Sequence, residues 1–284
     1  MTTTGTALVI GATGTTGSRV AARLAAGGLR VKAASRRATA VTGTEAVRFD
    51  WTDPASHDEA LRDAGRIHLI PPIGDPDPAG LMLPFLERAR ARGVRRAVLL
   101  SSSAIPAGGP ATGLVHQALP GLFEEWAVLR PSWFMQNFTG EHPHAQTLRT
   151  DGTLLTATGE GRVGFVDADD IAAVAAHALT GAEAPNTDLV LTGPQALSYD
   201  DVAAILTDVL GRTVTHLRLT YAQLRDRLAA ALPAEFAALL AGLDRDIADG
   251  AEDRITDTVQ RLTGRPPRSF RAFAERELSR SGFQ

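Results

Sequence analysis

The sequence of 284 residues contains no cysteine. This absence excludes disulfide bonds, thiolate nucleophiles and cysteine-ligated metals, and it suits a reducing compartment. Long apolar runs are also missing, because none approaches the length of a membrane span. The residues before the apolar run at Ala7 lack the basic and apolar segments of a signal peptide. We therefore expect a cytoplasmic protein that does not insert into a membrane.

The charges show no strong excess of one sign, since the formal net charge is -3 at pH 7. Binding to nucleic acid or to an anionic membrane surface is therefore not favoured. Hydrophobic residues make up 44% of the chain, enough for a folded core, which argues against disorder. Lysine is almost absent: Lys32 is the only one, and the other basic residues apart from histidine are arginines.

A glycine-rich turn follows the first apolar run, Ala7 to Ile10, and precedes a helical pattern from Ser18 to Ala26. Strand, glycine turn and helix in this order are typical of a dinucleotide site, in which the glycines give a tight turn and a close backbone approach to the pyrophosphate. The helix N-terminus adds free N–H groups. The alternative is an ordinary strand-to-helix turn. The predicted cofactor-binding residues here are Gly11, Thr13, Gly14, Thr15, Thr16 and Gly17.

The end of the second strand, Leu29 to Ala34, indicates which cofactor is bound. An NAD site usually has an acidic residue here to hold the ribose 2′-hydroxyl. The chain instead continues with Ser35, Arg36 and Arg37, and an arginine would bind a 2′-phosphate. We therefore predict NADPH as the cofactor and these three residues as part of its site. The alternative is a solvated basic turn.

The following strands end in further candidates for the cofactor site. We predict that Asp50 and Trp51, after the third strand, lie beside the adenine. The alternative for this stretch is that Asp53 or Ser56 only caps the following helix. Pro71–Pro72 follows the fourth strand and Ser101–Ser102 follows the fifth. The alternation of strands and helices predicts an α/β fold with a doubly wound, mostly parallel Rossmann sheet. Ligands bind at the carboxyl ends of such strands, so these residues should converge.

The pattern changes after the sixth strand, Ala127 to Leu129. We expect a loop over residues 104–115, a short helix at 122–126, and a smaller, mainly helical C-terminal substrate region. The predicted domains are a cofactor-binding Rossmann domain at 1–150 and a substrate-binding region at 151–284. A strand near 188–191 could return to the Rossmann sheet.

Several motifs identify a family. Besides Gly11–Gly17, they are Arg130–Phe138, Phe165–Ala172, Leu191–Pro194, Asp257–Val259 and Thr263–Pro267. Together they resemble the NmrA-like branch of the atypical short-chain dehydrogenases/reductases over nearly the whole chain. The resemblance implies an N-terminal NAD(P) domain and a C-terminal part that closes a substrate cleft. The family includes quinone, azo and iminium reductases, some resembling ergot-alkaloid reductases, and cofactor-sensing regulators.

The sequence lacks the catalytic pair of the better-known short-chain dehydrogenases, Tyr-x-x-x-Lys. Tyr199 is followed four residues later by Ala203, and Tyr221 by Arg225. His116 falls where related reductases carry a lysine or histidine, and it is the candidate proton donor. The segment between His116 and the sixth strand is shorter than is usual in the family. The alternative is a histidine that only bonds the loop or caps a helix.

The apolar residues after the sixth strand are candidates for the substrate pocket. We predict substrate contacts from Ser103, Trp133, Phe134 and Phe138. The alternative for the aromatic residues is packing in a core, which is their commoner use. His142 and His144 lie close together but have no fourth ligand nearby, so we predict no metal site.

The sequence thus predicts an NADPH-dependent reductase that transfers hydride to a flat conjugated small molecule such as a quinone, an imine or iminium, or an azo compound. The alternatives are an NADP(H)-sensing regulator without turnover and a redox-neutral biosynthetic enzyme. The expected partner is a small-molecule substrate, and the expected assembly is a homodimer or a monomer.

Overall fold

The computed structural model describes residues 5–72, 74–75 and 77–278. Its strands are β1 (Thr6–Ile10), β2 (Arg30–Ser35), β3 (Glu45–Arg48), β4 (Ala64–Leu69), β5 (Arg96–Leu100), β6 (Glu125–Pro131), β7 (Thr153–Thr156), β8 (Arg162–Val163), β9 (Thr187–Leu191), β10 (Leu197–Ser198) and β11 (Thr215–Arg218). Its helices are α1 (Thr15–Ala26), α2 (His57–Leu61), α3 (Pro78–Ala91), α4 (Gly113–Leu122), α5 (Pro143–Asp151), α6 (Ala168–Thr180), α7 (Tyr199–Leu210), α8 (Tyr221–Ala229), α9 (Ala234–Ala248), α10 (Thr258–Thr263) and α11 (Phe270–Glu277).

The contacts divide the chain into two compact units. The first takes the described residues up to Pro131, together with Ala168–Leu191 and Thr258–Arg265. The second takes Ser132–Asp167, Thr192–Asp257 and the described residues from Pro266 onward. The domain boundary expected near residue 150 therefore falls inside one stretch of the second unit.

The first unit is built on a seven-stranded sheet in the order β3-β2-β1-β4-β5-β6-β9. All neighbouring strands in it are parallel. The order runs outward from β1 in one direction and from β4 in the other, so the crevice between them is where such sheets bind ligands. The predicted Rossmann fold is thus confirmed, and β9 is the strand that returns near residues 188–191.

The apolar strands explain why this sheet forms. All five residues of β1 are buried, as expected for a central parallel strand with helices on both faces. Lys32 is the one charged side chain among the four buried residues of β2. Its Nζ donates hydrogen bonds to the carbonyl oxygens of Glu59 (3.0 Å) and Arg62 (2.8 Å). The single lysine therefore caps the end of α2 and is not exposed at the surface.

The segment before β6 differs from the expectation. Residues 104–112 form a loop, but α4 already begins at Gly113 and contains His116. The expected helix at 122–126 is wrong, because β6 begins at Glu125. Pairing with β5 explains the difference: Arg96 lies opposite Glu125 in the parallel register, and its Nε donates to the Glu125 carboxylate at 2.8 Å.

The second unit is mainly helical, with two short strand pairs, β7 with β11 and β8 with β10. Its core contains a cluster of aromatic rings that are at most 1% exposed: Phe138, Phe165, Tyr199, Phe270 and Phe273. Neighbouring ring centroids are separated by 5.0–6.2 Å. Three of these six pairs meet edge to face, an arrangement that aromatic pairs prefer.

Candidate cofactor and active site

The glycine turn after β1 has a backbone that side chains would obstruct. Gly11 has φ +70, in the left-handed region that favours glycine. The Gly14 N–H donates to the Gly11 carbonyl oxygen at 3.0 Å, which closes the turn. A Cβ on Gly17 would lie 2.2 Å from the Gly11 oxygen, which no packing tolerates. The helix α1 then begins at Thr15 with no side chain capping its first N–H groups, so they are available to an anion.

This turn forms one wall of a cavity of about 690 Å³ at the carboxyl ends of the central strands. The cavity brings together most of the predicted cofactor residues. The ones that line it are Gly11, Thr13, Gly14, Thr15, Thr16, Ser35, Arg36, Asp50, Trp51, Pro71 and Pro72. Gly17 does not line the cavity itself; it allows α1 to pack against the turn. A cavity of this size and composition can hold one of the two nucleotides of a dinucleotide cofactor.

The basic turn after β2 contributes one arginine to the cavity. Arg36 is exposed and lines it, whereas Arg37 is exposed but is not among the lining residues. Asp50 lies on the same cavity and accepts hydrogen bonds from the Thr52 N–H (3.0 Å) and hydroxyl (2.9 Å). These hydrogen bonds are the main reason why the pKa of Asp50 lies below its usual value, and the charge of Arg36 lowers it further. Asp50 is therefore ionised at neutral pH.

Trp51 is held in place on both its polar and its apolar side. Its Nε1 donates to the Ile70 carbonyl oxygen at 3.1 Å. Its ring meets Phe49 edge-on at 4.9 Å and Phe85 at 5.2 Å. These contacts fix the orientation of the indole at the wall of the cavity. A fixed flat ring is a suitable surface for packing against the adenine.

The serines after β5 are tied to their own unit. The Ser101 hydroxyl lies 2.8 Å from that of Thr112. The Arg130 guanidinium donates to the carbonyl oxygens of Ser102 (3.3 Å) and Ser103 (2.8 Å) and to the Asp188 carboxylate (2.6 Å). None of the three serines lines the cavity described above, although Leu100 at the end of β5 does. Their assignment to the site therefore remains a prediction.

His116 lies in α4 and is only 6% exposed. Its Nδ1 is buried and has no hydrogen-bond partner among the described residues. Burial lowers the pKa of His116 below its usual value; Asp188 opposes that shift and Arg130 adds to it. The imidazole is consequently neutral at neutral pH.

The predicted substrate contacts after β6 have different environments. Trp133 is half-buried and packs against the core of the second unit, and Phe134 pairs with Val166 in an isolated parallel bridge. Phe138 is 0% exposed and packs against Phe165 and Phe270. The prediction of Phe138 as a substrate contact is therefore not supported, because a fully enclosed core ring offers no surface to a ligand.

Several residues that line the cavity were not predicted from the sequence. They are Ile10, Ala34, Phe49, Thr52, Ile70, Gly74, Asp75 and Leu100. Most of them stand at the last positions of strands or directly after them. The rule that ligands bind at the carboxyl ends of parallel strands would have found Ile10, Ala34 and Leu100.

The histidine pair of the second unit has a structural role. His142 precedes α5, and its Nδ1 accepts a hydrogen bond from the His144 backbone N–H. Burial lowers the pKa of His144 to about 3. Among the described residues, no group of three or more histidine, aspartate and glutamate side chains could hold a metal, and no helix is both long and apolar enough to cross a membrane.

Comparison with known proteins agrees with this geometry. The model of the NAD dependent epimerase/dehydratase family matches residues 7–74, the part that contains the glycine turn. An uncharacterized oxidoreductase of Bacillus subtilis, YesF, is 45% identical over 94% of this chain and 93% of its own. Festuclavine synthase II of Penicillium roqueforti is 38% identical over 96% of this chain and 98% of its own.

A solved structure has the same fold. The NADPH-dependent quinone oxidoreductase of Escherichia coli, in complex with NADPH, superposes with a TM-score of 0.80 at 24% identity, covering 96% of this chain and 99% of its own. The similarity of sequence extends over almost the full length of the relatives, beyond the glycine turn alone. The chain therefore belongs to the NmrA-like family of atypical short-chain dehydrogenases/reductases and is an oxidoreductase with the NAD(P)-binding Rossmann fold.

Proposed function

We propose that the protein is an NADPH-dependent reductase that transfers hydride to a flat conjugated electrophile: a quinone, an imine or iminium, or an azo compound. The observation that carries the choice of cofactor is the turn after β2. Arg36 lines the cavity there, and no carboxylate stands among Ser35, Arg36 and Arg37. A guanidinium forms charge-assisted hydrogen bonds with a phosphate, whereas NAD would present only a hydroxyl.

The residues of the cavity fit this cofactor. The backbone at Gly11 and Gly14 and the first N–H groups of α1 would hold the pyrophosphate, because free N–H groups at a helix N-terminus favour an anion. Glycine is required in this turn because a Cβ at Gly17 would lie 2.2 Å from the Gly11 oxygen. Arg36, with Ser35 and Arg37 beside it, would hold the 2′-phosphate. Further contacts would come from Asp50, Trp51, Pro71, Pro72, Ser101 and Ser102. When bound, NADPH supplies the hydride, and the protein's part is to bind and orient.

The choice of electrophile rests on what the chain does not have. The sequence contains no Tyr-x-x-x-Lys pair that could protonate a carbonyl. Its only lysine, Lys32, caps the end of α2. A quinone or an iminium accepts hydride with less help from an acid. Two similar proteins point the same way: one is named for making festuclavine and the other for reducing quinones. Ser103, Trp133 and Phe134 are the proposed substrate contacts, and His116 is the polar group proposed to act on the substrate.

The test combines binding and turnover. The purified protein is titrated with NADPH, NADP⁺, NADH and NAD⁺, and then mixed with NADPH and a naphthoquinone, an iminium salt or an azo dye. We expect NADPH to bind more tightly than NADH, and its absorbance to fall when an acceptor is added. Tight binding of NADP⁺ in preference to NADPH, without turnover of any acceptor, would instead favour a cofactor-sensing regulator. Failure to bind all four nucleotides would refute both functions.

A further inference from the structure

The surroundings of His116 limit what its imidazole can do. The charged groups whose fields act on it are Asp188 on β9 and Arg130 on β6. A carboxylate beside a histidine makes it more basic when it accepts the ring N–H. Asp188, however, is already bonded to the Arg130 guanidinium at 2.6 Å, and no hydrogen bond joins it to His116. The histidine therefore has no carboxylate of its own.

The two ring nitrogens of His116 are not equivalent. Nδ1 is buried without a hydrogen-bond partner among the described residues. In the imidazolium form both nitrogens carry protons, so an N–H would be buried at Nδ1 with no acceptor. A buried donor without an acceptor loses its hydration and gains nothing in return. A bare lone pair at Nδ1 is the less costly state, which leaves the proton on Nε2.

We propose that His116 acts in the reductase proposed above as a neutral imidazole, donating a hydrogen bond from Nε2 to the heteroatom of the substrate without giving up its proton. A neutral imidazole that polarises a substrate oxygen is an established catalytic device. In this role His116 stabilises the negative charge that develops on the substrate. Its residue type alone would instead suggest a general acid.

The proton balance of the proposed reactions is consistent with this role. A quinone that gains a hydride becomes a hydroquinone monoanion, which the Nε2–H would stabilise; its proton then comes from water. An iminium that gains a hydride becomes a neutral amine and needs no proton. Its nitrogen has no lone pair to accept a hydrogen bond, so the donor role of His116 applies to the quinone. In both cases NADPH is oxidised to NADP⁺, and His116 begins and ends the reaction in the same protonation state.

The first test reads the ring directly and does not depend on turnover. The protein is labelled with ¹⁵N-histidine, and the signal of His116 among the seven histidines is assigned from its loss in His116→Gln. At about pH 6.5, where an ordinary histidine is half protonated, we expect a ring that is mostly neutral, with its proton on Nε2. An imidazolium at that pH, or a proton on Nδ1, would overturn the proposal.

The second test compares two replacements during turnover. Glutamine keeps an N–H donor but cannot transfer a proton, whereas alanine removes the donor. We expect His116→Ala to lower kcat roughly a hundredfold, a typical loss for one preorganised donor, and His116→Gln to stay within about tenfold of the unmodified enzyme. Equal losses in both variants would overturn the neutral-donor role. If the unmodified enzyme reduces no acceptor, the proposed function fails, while the spectrum still decides the state of His116.

Discussion

Replacing Arg36 by alanine should weaken the binding of NADPH while leaving that of NADH almost unchanged. Arg36 is the arginine of the turn after β2 that lines the cavity. A hydrogen bond to a charged group contributes about 1.5–3 kcal/mol, and each 1.4 kcal/mol corresponds to about a tenfold change in Kd. The loss should therefore lie between about tenfold and a hundredfold for NADPH.

Two features of the structure refine that range in opposite directions. Arg36 is exposed, so water and salt screen its interaction with a phosphate and favour the lower end. Asp50 lines the same cavity, and its low pKa keeps it ionised. Without Arg36 this carboxylate would face a 2′-phosphate with one neighbouring positive charge fewer, since Arg48 would remain, and this adds repulsion. We expect a loss of roughly tenfold or somewhat more at physiological salt, shrinking as salt rises.

The measurement is a fluorescence or calorimetric titration of the variant and the unmodified protein with NADPH and NADH. Arg30→Ala is the matched control, because Arg30 is an exposed arginine at the opposite end of β2. Arg37→Ala tests the second arginine separately. An equal loss for both nucleotides in Arg36→Ala would show that the residue supports the fold of the site and does not read the phosphate. No loss for either would remove the basis for choosing NADPH.

Three further predictions concern stability and the cofactor turn. Gly17→Ala should abolish nucleotide binding and lower Tm, because its Cβ would lie 2.2 Å from the Gly11 oxygen. Gly121→Ala is the control and should do neither, because a Cβ there meets nothing within 4 Å. Unchanged binding and Tm in Gly17→Ala would refute the packing argument. Burial raises the pKa of Asp244 from 3.8 to about 6, so the ionised form destabilises the fold above that pH. Asp244→Asn should therefore raise the free energy of unfolding by about 3 kcal/mol at pH 8, at about 1.4 kcal/mol per pKa unit. This gain in the free energy of unfolding, measured by urea denaturation, should fade towards pH 4. A gain that does not depend on pH would contradict the explanation by ionisation of Asp244. Phe138→Ala should cost about 3–5 kcal/mol of stability, as for other core aromatic residues. A much smaller loss of stability, measured in urea, would contradict its assignment to the core.

The parts of the fold that the sequence predicted well are those set by local pattern. The buried run of β1, the glycine turn and the start of α1 lie within one short stretch, and each follows from spacing and residue type. Arg36, Asp50 and Trp51 were placed on the cavity because they follow strands of one parallel sheet, whose carboxyl ends converge. No knowledge of distant contacts was needed for these residues.

Elements decided by distant contacts were predicted less well. A helix over residues 122–126 was expected from local composition, but pairing of Glu125 with Arg96 on β5 extends the strand. Phe138 belongs to an aromatic core whose other rings come from much later in the chain, such as Phe270. A sequence shows that Phe138 is apolar, but it does not show whether the ring contacts a ligand or, as here, four other rings.

The chemistry of the site was the hardest part to predict, because it depends on which polar groups are already satisfied. The usual pKa of a histidine lies near neutral pH, so the residue type alone suggests a proton donor. In the structure, Asp188 is paired with Arg130, and Nδ1 of His116 has no acceptor among the described residues. Burial lowers the pKa of His116, and Asp188 on β9, already bonded to Arg130 on β6, makes no hydrogen bond with the ring that would reverse this shift. The reactivity of this site is therefore a property of the folded sheet, which no single motif encodes.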